Sequence, residues 1–316
     1  MSVRRIHLAF LAAAVLPLAG ACGDTKRPVT TTIQGSSTTS TLSVTTDSGT
    51  PSGTVTETTA AATVPVSYGD AEAAYTARKY SEAAELFGSY TRANPENPWA
   101  HYMSGLSSWK AGDPEQALIS FDEALRIDPQ HRKSLLNSAR VLLDTGRPGE
   151  ALDRIERAMG LEPLSAEGLR LLGRARYEMK QVPEAIDAYQ RAIALDERDV
   201  WAMNNLGLIY IQQDRSEDAL PVLARAVELR RDSPVFQNNL GTALERTGHP
   251  AAAKQAYEAA VVTDSTYGKA SASLTRVTPL AEGDTTAVDL STFVADFHAV
   301  VQRWQETVGD TTKTFE

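Results

Sequence analysis

From Val64 to Tyr267 the small and the large apolar positions return every 34 residues. They fall in six segments without a gap: 64–97, 98–131, 132–165, 166–199, 200–233 and 234–267. Position 20 of each segment is alanine: Ala83, Ala117, Ala151, Ala185, Ala219 and Ala253. Position 27 is Tyr90 in the first and Ala124, Ala158, Ala192, Ala226 and Ala260 in the others. Position 8 is also small: Ala71, Gly105, Ala139, Gly173, Gly207 and Gly241. Position 24 is large and apolar throughout: Phe87, Phe121, Ile155, Tyr189, Leu223 and Tyr257. Small residues at these spacings let two antiparallel helices approach closely, and the large residue fills the space between units. Turn residues near position 15 separate the two helices, as in Gly112-Asp113-Pro114, Gly146-Arg147-Pro148, Asp214-Arg215 and Gly248-His249-Pro250. Pro95, Pro129 and Pro163 close the second helix of the first three segments, because proline cannot continue a helix. A period of this length predicts an all-α solenoid, in which no unit buries its apolar face alone.

The pattern resembles the tetratricopeptide repeat across residues 64–267. The resemblance implies a right-handed α-solenoid of six helix-turn-helix units that binds a protein or an extended peptide in its concave groove. The departures are local. Tyr90 stands where alanine is usual, Asp70 stands where later units are apolar, and Glu197, Arg231 and Ser265 replace the closing proline in the last three units. The first unit reads as a terminal one with a more polar outer face.

Both ends carry a different pattern. Arg4 and Arg5 precede an apolar run from Leu8 to Leu18, shorter than the roughly 20 residues that span a bilayer, which predicts an export signal over residues 1–21. It ends in Leu18-Ala19-Gly20-Ala21-Cys22, which looks like a bacterial lipobox and implies a diacylglycerol on the Cys22 thiol. The alternative is ordinary cleavage after Ala21, releasing a soluble protein. Gly23 after the cysteine favours outer-membrane sorting in a cell with two membranes. Residues 22–63 are rich in Thr and Ser and have too little apolar surface to fold, so they read as a disordered tether or a glycosylated stalk. Past the last unit, helical phase continues from Gly268 and is expected to stop at Pro279. After a polar loop, Leu290, Phe293, Val294, Phe297, Val301 and Trp304 recur at helical spacing behind Asp289, a candidate N-cap. Residues 268–308 therefore read as a cap over the sixth unit or as a partner contact, and 309–316 as a flexible tail.

Charge and chemistry narrow the function. The net charge of −9 becomes more negative once the basic signal is removed, which argues against nucleic acid as a partner. Cys22 is the single cysteine, so no internal disulfide is expected. His101, His131, His249 and His298 lack metal-ligand spacing, no glycine-rich phosphate loop follows a strand, and the residues after Tyr267 are too few for a catalytic domain. No metal, cofactor or enzyme activity is expected.

What remains is the groove, which in the resembling family is lined by positions 2, 5, 6, 9, 12 and 13 of each first helix. Carried over, these positions give Asn137, Asn205 and Asn239, with Asn204 and Asn238 beside the last two and Leu171 interrupting the row. Asparagine amides can hold an extended backbone by donating and accepting. Alternatively, they are consensus residues of the repeat. Lys133, Arg140, Arg170 and Arg174 form a basic stripe suited to an acidic or carboxyl-terminal segment, unless they pair with Glu167 and Glu178. Arg170, Arg174 and Asn205 match a carboxylate clamp only in part, because Val235 and Asn239 stand where further basic residues belong. Trp99, Tyr102, Trp109, Tyr177 and Trp201 offer hot-spot contacts or pack neighbouring first helices together. The reading is a membrane-anchored extracytoplasmic adaptor for envelope machinery. The alternatives are a structural spacer or self-associating lipoprotein, and an accessory subunit of an enzyme. The oligomeric state stays open.

Overall fold

The computed structural model describes residues 66–313 and forms an α-solenoid. The export signal, Cys22 and the tether lie outside the described residues. Six helix pairs match the six units: α1 (Tyr68–Thr76) with α2 (Tyr80–Ala93), α3 (Pro98–Ala111) with α4 (Pro114–Ile127), and α5 (Arg132–Asp144) with α6 (Pro148–Leu161). The next three are α7 (Ala166–Glu178) with α8 (Val182–Leu195), α9 (Val200–Gln212) with α10 (Ser216–Leu229), and α11 (Pro234–Arg246) with α12 (Pro250–Thr263).

Local chemistry starts and stops these helices. Asn97, Asp113, Ser165, Asp199 and Ser233 each accept a hydrogen bond from a backbone N–H of the first turn they precede. Position 15 is left-handed in every unit. Gly112, Gly146 and Gly248 take it freely, whereas Arg78, Lys180 and Asp214 hold φ of 60°, 66° and 58°. The second helices of the last three units end at the same position as the earlier ones although proline is missing. In two of these, the Asp196 and Asp264 carboxylates accept from the N–H two residues on and make the turn instead.

Each pair closes on the contact of position 8 with position 24. A Cβ added at Gly105 would lie 2.7 Å from the Phe121 ring, and one at Gly207 would lie 2.5 Å from Leu223. All six alanines of position 20 are fully buried. One large core runs from the fourth unit to the C-terminal helices, while three smaller clusters, two of them shared across unit boundaries, fill the first units.

The C-terminal region differs from expectation in three ways. Helix α13 (Gly268–Ala281) does not stop at Pro279 but runs through it, burying Ala270, Ser273 and Val277, and it packs on α12 and α11. It therefore covers the sixth unit. Helix α14 (Leu290–Lys313) does not cover that unit. It returns to the second helices α8 and α10, where Phe297 and Val301 are buried and Phe293, Val294 and Trp304 partly so. The stretch expected to be a loose tail continues this helix as far as Lys313. The reason lies in α10, which buries Leu220, Val222, Ala224 and Val227 as well as Ala219, Leu223 and Ala226. Its buried residues cover more than one face, with Glu217, Asp218 and Glu228 left exposed, so it needs a further layer beside its own unit.

Candidate binding groove

The first helices α3, α5, α7, α9, α11 and α13 contact one another in sequence and form one continuous wall. The row of asparagines sits on it but is occupied by the protein itself. Asn137 donates to the Tyr102 hydroxyl at 3.2 Å and to the Lys133 carbonyl at 3.0 Å, and it accepts from Arg140 at 2.8 Å. Asn239 donates to Asn204 of the preceding unit at 2.9 Å, and Asn205 donates to the Tyr189 hydroxyl at 3.2 Å. These amides tie one unit to the next. The Oδ1 of Asn238 is the exception, being buried without a partner.

The basic stripe is likewise paired. Arg140 bridges to Glu167 of the following unit. Arg170 holds Asp199 at 2.8 Å, and Arg174 holds both Asp144 and Glu178 at 2.8 Å. Of the same-helix pairings with Glu167 and Glu178, only that of Arg174 with Glu178 forms, and Glu167 is taken by Arg140 one unit away. Burial raises the Glu178 pKa, and Arg174 opposes that rise.

The aromatic residues divide into two groups. Tyr102 is buried, and the loss of water around it pushes its pKa up. The Tyr177 hydroxyl bonds to Gln212. Trp201 stands edge-on to Phe236 at 5.2 Å with Arg230 over its ring, yet 42% of it stays exposed. Trp99 is 48% exposed, and Trp109 is half-buried. Lysine ammonium groups lie over both rings, Lys133 at 5.0 Å from Trp99 and Lys110 at 5.1 Å from Trp109. Neither lysine has an ion-pair partner among the described residues. Units 2 and 3 therefore present aromatic surface with unneutralised positive charge, whereas the wall of units 4 to 6 pairs its arginines and asparagines internally.

The sequence reading missed His131 as part of this patch. It caps α5, its Nδ1 accepting from the Ser134 N–H at 3.3 Å, which leaves the ring proton on Nε2. That atom is buried without a partner, and the ring stands 4.8 Å from Trp99 and 5.3 Å from Tyr102. Burial holds its pKa down. Asp128 opposes this and Lys133 adds to it. Its place just before a first helix is a signal the sequence carried, while its contact with Trp99 and Tyr102 on α3 is set by the fold. Among the described residues no cluster of His, Cys, Asp and Glu could hold a metal ion, and no helix is long and apolar enough to cross a membrane.

Family models described as tetratricopeptide repeat match residues 68–132, 108–175 and 204–269, and one described as TPR repeat matches 173–214. No curated protein matches the chain in sequence. Among solved structures, pilF of Pseudomonas aeruginosa is 21% identical, with a TM-score of 0.54, covering 67% of this chain and 97% of that one. The Cut9–Hcn1 assembly of the APC/C is 18% identical with a TM-score of 0.59, covering 66% of this chain and 41% of that one. MamA from Desulfovibrio magneticus RS-1 is 24% identical with a TM-score of 0.48, covering 52% and 92%. The likenesses to pilF and to the Cut9–Hcn1 assembly are of fold. With matched segments running almost unbroken over the helix pairs described above, the chain belongs to the tetratricopeptide-repeat family.

Proposed function

We propose that this protein is an exported adaptor, held at a membrane through lipidated Cys22, that binds an extended acidic or carboxyl-terminal segment of a partner protein in its groove. The observation that carries the binding site is the pair of lysines without carboxylate partners beside Trp99 and Trp109. Exposed aromatic surface next to unpaired cations favours an apolar side chain flanked by carboxylates. The arginines further along the wall already hold carboxylates of their own, so they brace the units rather than read the ligand. The Thr/Ser-rich stretch supplies reach between anchor and groove.

Two experiments test this. Labelled fatty acid fed to intact cells is incorporated by the wild type and not by Cys22→Ala. A wild-type chain that takes up no label removes the anchor. For the groove, a photoreactive benzoylphenylalanine replaces Trp99 in one chain and Glu123 on α4 in another. A defined protein adduct formed only from position 99 supports the site, and the same adducts from both positions remove it.

A further inference from the structure

Helix α14 leaves the end of the solenoid and returns to α8 and α10, second helices of the fourth and fifth units. The connector over residues 282–289 sends one hydrogen bond to another helix, the Asp284 carboxylate accepting from the Ala251 N–H at 3.1 Å. The helix then packs mainly on α8 and α10. Among its described side chains only Phe297 and Val301 are fully buried. At the far end Gln305 donates to the Ala194 carbonyl at 3.2 Å and to Glu197 at 2.9 Å, and His298 Nδ1 lies 3.6 Å from the same carboxylate.

The two helices under α14 also shape the groove. Helix α8 carries Tyr189, whose hydroxyl receives Asn205 from α9. Helix α10 carries Leu223, seated against Gly207 of α9 so closely that a Cβ there would overlap it at 2.5 Å. The next link, Asn204 to Asn239, joins α9 to α11. Any shift of α8 or α10 therefore reaches the asparagine row through contacts with no slack.

We propose that α14 is a strap on units 4 and 5. Docked, it holds the packing in which Asn204, Asn205 and Asn239 bond within the protein, so this half of the wall is closed to a ligand. Released, it lets α8 and α10 move and frees the amides for the backbone of a bound segment. The consequence for binding rests on the groove reading above. The test of the strap does not, because it needs no ligand.

Cysteines replace Glu197 and Gln305 in the full-length chain, with Cys22→Ser removing the only other thiol, and a short bismaleimide joins them. Amide hydrogen exchange is followed by mass spectrometry across every helix. Exchange that occurs through release of the strap slows by about tenfold or more in α8–α11 when the link is made, while α3–α6 keep their rates. In the converse variant, Phe297→Asp, exchange in α8–α11 rises and that in α3–α6 does not. Equal exchange in linked and unlinked chains overturns the proposal. So does a Phe297→Asp chain that loses protection evenly in all helices, since α14 would then be part of the core rather than a strap. Failure here leaves the crosslink from position 99 untouched, so the two readings fall separately.

Discussion

Gly241 on α11 faces the ring of Tyr257 on α12 at a distance that admits no further atom: a Cβ at 241 would stand 2.6 Å from Cε1. The ring cannot retreat, because its hydroxyl is bonded to Glu245 at 2.8 Å and to Thr242 at 3.3 Å. Burial, the largest cause, holds that hydroxyl's pKa up at about 12, so it stays a donor. Gly241→Ala gains about 1 kcal/mol of helix propensity and loses about 1–3 kcal/mol to overpacking. The expected outcome is a net loss of stability, read as a lower urea midpoint at constant slope. Gly149→Ala on α6, where an added Cβ meets nothing, is the control and should not lose stability. A midpoint for Gly241→Ala at or above that of the wild type would show that the ring can yield.

Much of this packing was legible because it repeats. Gly105, Gly173, Gly207 and Gly241 each meet the large residue 16 positions on, and the in-phase columns of small and large residues announce that contact without coordinates. Partner choice within the groove was not legible. Arg174 could pair along its own helix with Glu178, and it does, but it also reaches Asp144 one unit back, a contact set by the angle between units. The route of α14 was half-written. Its amphipathic spacing is plain, and the apolar faces of α10 mark a receiving surface, yet a periodic reading assigns each apolar residue to its own unit and sees no need for a third layer. Likewise α13 runs through Pro279, where a sequence reading ends the helix, and stops two residues later at Ala281.

Arg174→Ala should destabilise the protein and do so most at neutral pH. The side chain bridges two carboxylates, and both it and Glu178 are 18% exposed. The cost then lies between the roughly 1 kcal/mol of an exposed pair and the roughly 3–5 kcal/mol of a buried one. The Glu178 pKa is already raised by burial despite Arg174. Removing the arginine raises it further, so the folded state takes up a proton at a higher pH than the unfolded chain. The deficit against the wild type should shrink as the pH falls through that raised pKa. Urea melts at several pH values between 7.5 and 5 check this, and a deficit constant across the range would mean that Glu178 finds water when Arg174 is gone.

His131 gives a pH dependence of its own. Its folded pKa lies below the ordinary 6.5 because burial disfavours the charged ring. Below about pH 6.5 the unfolded chain binds a proton that the folded one refuses, so stability falls with falling pH. Each pH unit over which only the unfolded chain is protonated costs up to about 1.4 kcal/mol. His131→Asn keeps an acceptor for the Ser134 N–H and carries no proton. Its stability should decline less steeply than that of the wild type between pH 7 and 5. Parallel profiles would mean that the ring reaches solvent and takes up the proton freely.

The patch in units 2 and 3 makes the sharpest claim about binding, because it assigns recognition to Lys110 and Lys133 rather than to the arginines. Lys110 is exposed, as is Lys133, and their ammonium groups rest on indole rings, so reversing both charges should leave the fold intact. For an acidic segment, Lys110→Glu with Lys133→Glu replaces attraction by repulsion and should lower affinity by about tenfold or more, a change of about 1.4 kcal/mol. Added salt should weaken the wild-type complex and strengthen that of the variant, because it screens attraction in the one and repulsion in the other. Trp99→Ala should weaken binding with no change in salt dependence, since it removes contact area rather than charge. Arg170→Ala with Arg174→Ala breaks the links to Asp199, Asp144 and Glu178, and so should lower stability more than affinity once the folded fraction is accounted for. The measurement is equilibrium binding of the partner crosslinked through position 99, at two salt concentrations, alongside a melt of each variant. If the lysine reversal binds like the wild type while the arginine pair loses affinity at full helicity, the carboxylates of Asp144, Glu178 and Asp199 in units 3 and 4 give way to the ligand, and recognition moves to that part of the wall.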